Sequence, residues 1–335
     1  MRFQETGLWA DVRELPDALA ATIEAAEGVA EAAAVLRSGG VRRIVATGNG
    51  AAYYVAHALW LASLESAAGG PPIVAVPSGL AVRDAFRWHD GDVVLAVSSS
   101  GDFRDVVEIA ERAAGARPCV AVTAQPDSAL ARAATATVLQ QVAAQRAVTH
   151  TQALCGAYAC ALALWARVAA DRGLAALLAN APEAAAAAVR EAERWEALGA
   201  VERPHAAVAA GGGTAWAAAL ELALMLKEIA RVPAEGVETR EGATSAMFGL
   251  NDGHLMVSLD PPGDPAAEEA LRLCAATGAA TLRLPGAAER DARLAPIATV
   301  PAAAALSATL ALAGGCDVDH PTWVDAYYAT ARSAP

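Results

Sequence analysis

Val94-Leu95-Ala96-Val97-Ser98-Ser99-Ser100-Gly101-Asp102-Phe103 runs from an apolar, β-branched stretch through three hydroxyls and a glycine into a segment of helical composition. The pattern is strand, turn, helix. Ligands of open α/β sheets gather at the carboxyl ends of strands, where this turn lies. Upstream, Ile44-Val45-Ala46-Thr47-Gly48-Asn49-Gly50-Ala51-Ala52 repeats the arrangement. There Gly48 and Gly50 permit a tight turn, and the free amides and dipole of the following helix suit an anion. Hydroxyls and main-chain amides can hold a phosphate without lysine. The candidate binding residues are therefore Gly48, Asn49, Gly50, Ser98, Ser99, Ser100 and Gly101, against the plainer readings of helix-on-strand packing and a serine N-cap.

Around these turns, short apolar runs alternate with Ala/Leu/Glu/Arg segments of helical period, as a parallel sheet with crossover helices requires. Strands are expected at residues 41–46, 72–76, 93–98, 119–123 and 137–139, with helices at 51–66, 103–114 and 128–134. A long apolar helix at 151–172 and a connecting helix at 176–195, broken near Pro182, lead to rougher strands at 205–210, 254–259 and 280–284. Helices at 214–230 and 265–276 complete that half. The expected division is an N-terminal helical segment (1–38), a first α/β domain (39–175), a connecting helix with a second (176–314), and an irregular tail (315–335). Leu19, Ile23, Ala26, Val29, Ala33 and Leu36 step by three and four, which predicts that the first segment packs as a helix.

A net charge of −12 and a pI near 5.0 oppose nucleic-acid binding, which rests on Lys/Arg contacts to phosphate. Although 55% of residues are apolar, Arg, Asp, Gly or Pro interrupts the Ala-rich runs, so no membrane span of ~18 residues is expected. Nothing near Met1 resembles a secretory signal, and the cytoplasm is the expected location. Cys119, Cys155, Cys160, Cys274 and Cys316 show neither a CxxC pair nor zinc spacing and read as free thiols. No metal and no cofactor is expected.

In order, strand-GxG-helix, strand-SxSG-helix, then Val120-Ala121-Val122-Thr123 with Ser128, Leu130 and Ala131, the first half resembles a SIS (sugar isomerase) domain. Gly211-Gly212-Gly213 followed by Ala219-Leu220-Glu221-Leu222-Ala223-Leu224-Met225-Leu226-Lys227-Glu228-Ile229 is similar to the glycine turn and "EGALKLKEI" helix of the isomerase region of glucosamine-6-phosphate synthase. Glu14-Leu15-Pro16 and Asp317-Val318-Asp319-His320-Pro321 add to the likeness. The resemblance implies an α/β fold of two flavodoxin-like lobes, each a parallel sheet flanked by helices, assembled as a homodimer.

It also implies a site. The glutamate of the "LKE" stretch, which moves a proton between C1 and C2 of an open-chain sugar, corresponds to Glu228; a solvated helix glutamate beside Lys227 is the alternative. The family's ring-opening histidine is matched by Thr244, the first lysine of "LKLKE" by Met225, and the last threonine of SxSGxT by Phe103. The "E…TK" pair becomes Gln145 and Thr151-Gln152, which adds Thr151 to the binding set. A replacement acid–base group is sought among His89, His150, His254 and His320; His150 adjoins Thr151 and is the first choice. Glu235, Glu238 and Glu241 follow at three-residue spacing in what reads as a loop. Glu241 joins the catalytic candidates as a holder of an amino group, against a solvated acidic loop. The expected ligand is an anionic sugar or amino-sugar derivative, with no nucleic-acid or membrane partner. The expected activity is C1/C2 enolisation, as an isomerase, deaminase or deglycase without glutaminase activity; the alternative is a regulatory protein that only binds such a sugar.

Overall fold

The structure is a computed structural model that describes residues 2–66, 69–286 and 291–331. Helices α1 (Gly7–Arg13), α2 (Leu15–Ala25) and α3 (Val29–Leu36) precede strand β1 (Arg43–Gly48), so the single helix expected there is three. Gly28, at φ 78°, turns the chain between α2 and α3. There follow α4 (Ala51–Glu65), β2 (Ile73–Pro77), α5 (Ser78–Ala81), β3 (Asp92–Val97), α6 (Arg104–Ala113), β4 (Cys119–Thr123), α7 (Ala129–Ala133) and β5 (Ala136–Leu139). Helices α8 (Thr151–Val168), α9 (Arg172–Ala179) and α10 (Ala181–Glu193) come next, and the expected break falls at Asn180, just before Pro182. Then come β6 (Ala206–Gly211), α11 (Thr214–Glu228), β7 (Ala234–Glu238), α12 (Thr239–Ala243), β8 (His254–Ser258), α13 (Pro265–Ala276), β9 (Ala280–Arg283), α14 (Ala295–Ala298), α15 (Val300–Ala313) and α16 (Asp325–Ala331).

One compact unit comprises Asp17–Ala143, Gln152–Asn180 and Trp323–Pro335. Its sheet runs β2-β1-β3-β4-β5, all parallel. The central strands β3 and β4 are buried at every position, which is why they read as unbroken apolar runs. On one face Val45, Val94, Ala96 and Ala121 pack with Val106, Ile109 and Leu130. The tail, expected to be irregular, carries α16; residues 332–335 lie outside the described residues.

The other unit comprises Met1–Pro16, Ala144–Thr151 and Ala181–Thr322, with a parallel sheet ordered β7-β6-β8-β9. Strand β7 was not expected, and it places Glu235 and Glu238 on a strand and Glu241 on α12 rather than in a loop. Ala-Glu-Gly-Val-Glu holds one β-branched residue, yet β7 lies at a sheet edge, where charged side chains are tolerated because one flank stays unpaired. Ala292–Ala313 is long and apolar enough to cross a membrane by length and composition, contrary to the expectation, but 94% of its window is buried. It acts as a core helix, with α15 packed against α11, α10 and α1. Asp319 anchors the start of α1 by accepting the Gly7 and Leu8 amides, both at 2.8 Å. Asp11, fully buried, accepts the Arg146 and Ala147 amides and the Arg146 guanidinium.

Candidate functional site

In the five-stranded unit both anticipated turns sit at the carboxyl ends of neighbouring strands, β1 and β3. Gly50 caps α4 at φ 54° and ψ −130°, backbone that a side chain would strain. Asn49 is held from both ends: its Nδ2 donates to Ser78 Oγ at 3.3 Å, and its Oδ1 accepts from the Tyr327 hydroxyl at 2.9 Å. The Tyr327 ring also stands 6.4 Å from Phe103, so α16 touches both turns. Tyr327 and Ser78 escaped the sequence reading.

Ser98 is buried, and its Oγ accepts the Gly101 amide at 3.2 Å. Ser99 Oγ accepts from Gln140 Nε2 at 3.2 Å, which leaves its own proton to donate elsewhere. Ser100 Oγ accepts the Asp102 amide at 3.4 Å. Gly101 is required sterically: at φ 66° an added Cβ would stand 2.1 Å from Ser128 Oγ. Asn49, Gly50, Ser99 and Ser100 offer main-chain N–H groups that donate to no group among the described residues. Such a cluster of unpaired donors is suited to an anion.

In the four-stranded unit α11 carries Glu228, half-buried, whose Oε2 accepts from Thr149 Oγ1 at 3.1 Å. Two turns earlier Glu221 is 6% exposed, and its Oε2 is buried without a hydrogen-bond partner. Burial pushes the Glu221 carboxyl up to about 8, and the Glu228 charge adds to the rise. Met225, fully buried, occupies the helical position between them. Lys227, the only lysine in the chain, is exposed. The carboxyl tuned toward neutrality is thus Glu221, which the sequence reading did not single out.

Of the remaining candidates, His150 is exposed between buried Thr149 and Thr151, and Thr151 opens α8 with a buried, unpartnered Oγ1. Glu241 is exposed, and its amide is taken by Glu238 Oε2 at 2.9 Å. Thr244 donates to the Glu241 carbonyl at 3.1 Å. Among the described residues no group of three or more His, Cys, Asp or Glu side chains is placed to hold a metal ion.

Residues 40–166 match the SIS domain family. The chain carries a SIS domain. The match covers both anion-suited turns. The whole chain is similar to the C-terminal domain of glucosamine-fructose-6-phosphate aminotransferase from Francisella tularensis, with TM-score 0.78 and 17% identity over 94% of this chain and 98% of that one. A Silicibacter pomeroyi DSS-3 protein assigned as a phosphosugar isomerase gives TM-score 0.77 and 25% identity over 94% of this chain and all (100%) of that one. Glucosamine-6-phosphate deaminase from Thermotoga maritima gives 0.73 and 17%, over 95% of this chain and 98% of its own. No curated protein matches the chain. These likenesses cover 94–95% of the chain, so the fold shared with those structures takes in both parallel sheets.

Proposed function

We propose that this SIS protein is an enzyme acting on a sugar phosphate or amino-sugar derivative by moving a proton between C1 and C2 of the open-chain form. The observation that carries the reading is Glu228, half-buried and oriented by Thr149, on the helix that also buries Glu221. As a carboxylate, Glu228 takes the proton from one carbon. The C–H electron pair becomes the C1–C2 double bond and the carbonyl oxygen takes the negative charge; as the proton returns to the neighbouring carbon, the hydrogen on the other carbon's oxygen or nitrogen passes to that charged oxygen, leaving a new carbonyl or imine. Glu221, uncharged near pH 7, leaves this helix face one negative charge instead of two. The turns at Gly48 to Gly50 and Ser98 to Gly101, with Thr151, hold the anionic group; His150 serves ring opening and Glu241 meets an amino group. The solved structures named as a glucosamine-fructose-6-phosphate aminotransferase domain and a glucosamine-6-phosphate deaminase support this substrate class. Assembly as a homodimer in the cytoplasm is part of the proposal.

A second reading, a protein that binds such a sugar without turning it over, is favoured by Met225, Thr244 and Phe103, which stand where the family pattern has a lysine, an imidazole that titrates near neutral pH and a hydroxyl. Incubation with sugar phosphates and fructosamines in deuterated water, followed by NMR, separates the two. Exchange at C1 or C2 that disappears in Glu228→Gln, with a ligand-induced thermal shift retained, supports the enzyme. Exchange unaffected by Glu228→Gln overturns the assignment of the base, and a thermal shift with no exchange for any compound establishes the binding protein.

A further inference from the structure

The three serines after β3 share one feature: each hydroxyl accepts a hydrogen bond from inside the five-stranded unit. Ser98 Oγ takes the Gly101 amide at 3.2 Å and Ser100 Oγ the Asp102 amide at 3.4 Å, both from the turn's own backbone. Ser99 Oγ is served from elsewhere, by Gln140 Nε2 at 3.2 Å, from the residue that follows β5, two strands away in the sheet. A hydroxyl has one proton and two lone pairs, so the bond accepted from Gln140 leaves the proton as what Ser99 offers to a ligand. Ser99 is half-buried, so that side of it is open.

Gln140 is a residue that packing alone disfavours. It is 3% exposed, and its Oε1 is buried with no hydrogen-bond partner among the described residues, a state that destabilises the folded chain. Opposite it, α8 holds Gly156, a residue that weakens a helix, and the reason is steric: a Cβ there would stand 2.7 Å from Gln140 Oε1. An apolar side chain at position 140 would relieve the unpaired oxygen. The main chain of Gln140 leads back to the same turn. Its N–H donates to the Thr123 carbonyl at 3.0 Å, and Thr123 Oγ1 donates to the Ser99 carbonyl at 3.1 Å, which also accepts the Ala124 amide at 3.0 Å. The ring of Ser99, Gln140 and Thr123 therefore engages the Ser99 carbonyl, which would repel an anion, within the protein. It leaves the Ser99 main-chain N–H and hydroxyl proton with no acceptor among the described residues.

We infer that Gln140 is a positioning residue of the anion site: its Nε2 fixes the polarity of the Ser99 hydroxyl, so that the hydroxyl donates to the ligand's anionic group instead of accepting from it. The inference rests on the anion-binding reading above. Gln140 itself stays buried behind the turn, and the ligand meets Ser99. The unpaired Oε1 is retained in the core because the same amide supplies, through Nε2, the donor that the backbone supplies to Ser98 and Ser100 but not to Ser99.

The test uses the full chain and two probes titrated by calorimetry, glucosamine 6-phosphate and inorganic sulfate, which stays dianionic from pH 5 to 9. Gln140→Met keeps the length of the side chain and removes its donor. It is expected to weaken both probes about fivefold, while the melting temperature holds or rises because the unpaired buried acceptor goes too. Gln140→Glu reverses the polarity. Ionised, the new carboxylate accepts from Ser99 and draws the hydroxyl proton away from the ligand; protonated, it donates as the amide does. Burial raises such a carboxyl's pKa, so the sulfate affinity of Gln140→Glu relative to wild type is expected to fall as pH rises from 5 to 9, about tenfold in all. Asp102, which takes the Ala129 amide, and Glu27, which takes the Gln141 side chain, are common to both proteins and cancel in that ratio. Wild-type protein that binds neither probe overturns the anion-binding reading itself. Wild-type affinity in Gln140→Met, whatever its melting temperature, or a Gln140→Glu ratio that stays at one across the range, overturns this inference alone.

Discussion

Replacing Glu221 by Gln removes the one carboxyl on α11 that burial holds near neutrality, and the consequence can be worked through. Its pKa rises from 4.5 to about 8 in the folded chain. Between those values the folded state holds a proton that the unfolded state has released, so folding stability declines as pH rises, by ~1.4 kcal/mol per unit. The stability is whole below pH 4.5 and has lost about 5 kcal/mol once pH has passed 8, as an order of magnitude. Gln keeps the shape and one donor, has no proton to lose, and avoids that decline. Guanidinium unfolding of wild type and Glu221→Gln across pH 5 to 9 gives the difference curve, in which titrations common to both cancel; a carbon-13 carboxyl titration reads the pKa directly. The variant's advantage is expected to grow steadily up to pH 8 and then level. A difference curve flat across that range refutes the burial argument. Because the Glu228 charge contributes to the rise, Glu228→Gln should move the Glu221 midpoint down; a midpoint that stays put would assign the whole effect to burial.

Gly101→Ala forces a Cβ to within 2.1 Å of Ser128 Oγ at a positive φ and is expected to cost about 2 kcal/mol or more, visible as a lowered melting temperature; an unchanged melt would show that the turn can relax. Asp11→Ala strands the Arg146 and Ala147 amides, with an expected loss of about 2 kcal/mol in chemical denaturation, and Asp11→Asn should restore part of it. Thr149→Val deletes the hydrogen bond to Glu228 Oε2 and is expected to slow C1/C2 exchange about tenfold with little change in unfolding; equal exchange would show that Thr149 does not orient the carboxyl.

The central strands were legible because burial on both faces makes β3 and β4 almost wholly apolar, and the glycine and serine turns because each lies where such an apolar run gives way to a helical segment. Strand β7 was hidden by its edge position, which lets Glu235 and Glu238 replace the β-branched residues that mark a strand. Ser78 and Tyr327 were hidden for a different reason: a hydroxyl after one strand and another near the end of the chain form no pattern until the fold sets both against Asn49. Glu221 did leave a signal. Ala217, Ala218, Ala219, Leu222, Ala223 and Leu226 are buried around the helix, and a glutamate in a helix apolar on all sides has no solvent face to occupy.

That last point connects Glu221 to its neighbour in the stripe. Met225 lies four residues after Glu221 and three before Glu228, the spacings at which helical side chains meet. A lysine there, as in the "LKLKE" pattern, would stand within reach of both carboxyls and hold each in its charged form. Methionine fills the same volume with no charge, and Lys227, one position before Glu228, points its ammonium to solvent instead. With the cation gone, two carboxylates sharing a buried face would repel each other at close range and low dielectric. The deeper of the two, Glu221, is the one pushed up to about 8, while Glu228 is half-buried and hydrogen-bonded by Thr149. With methionine in place of lysine, burial and the Glu228 charge together, unopposed by a cation at that position, push the Glu221 carboxyl up.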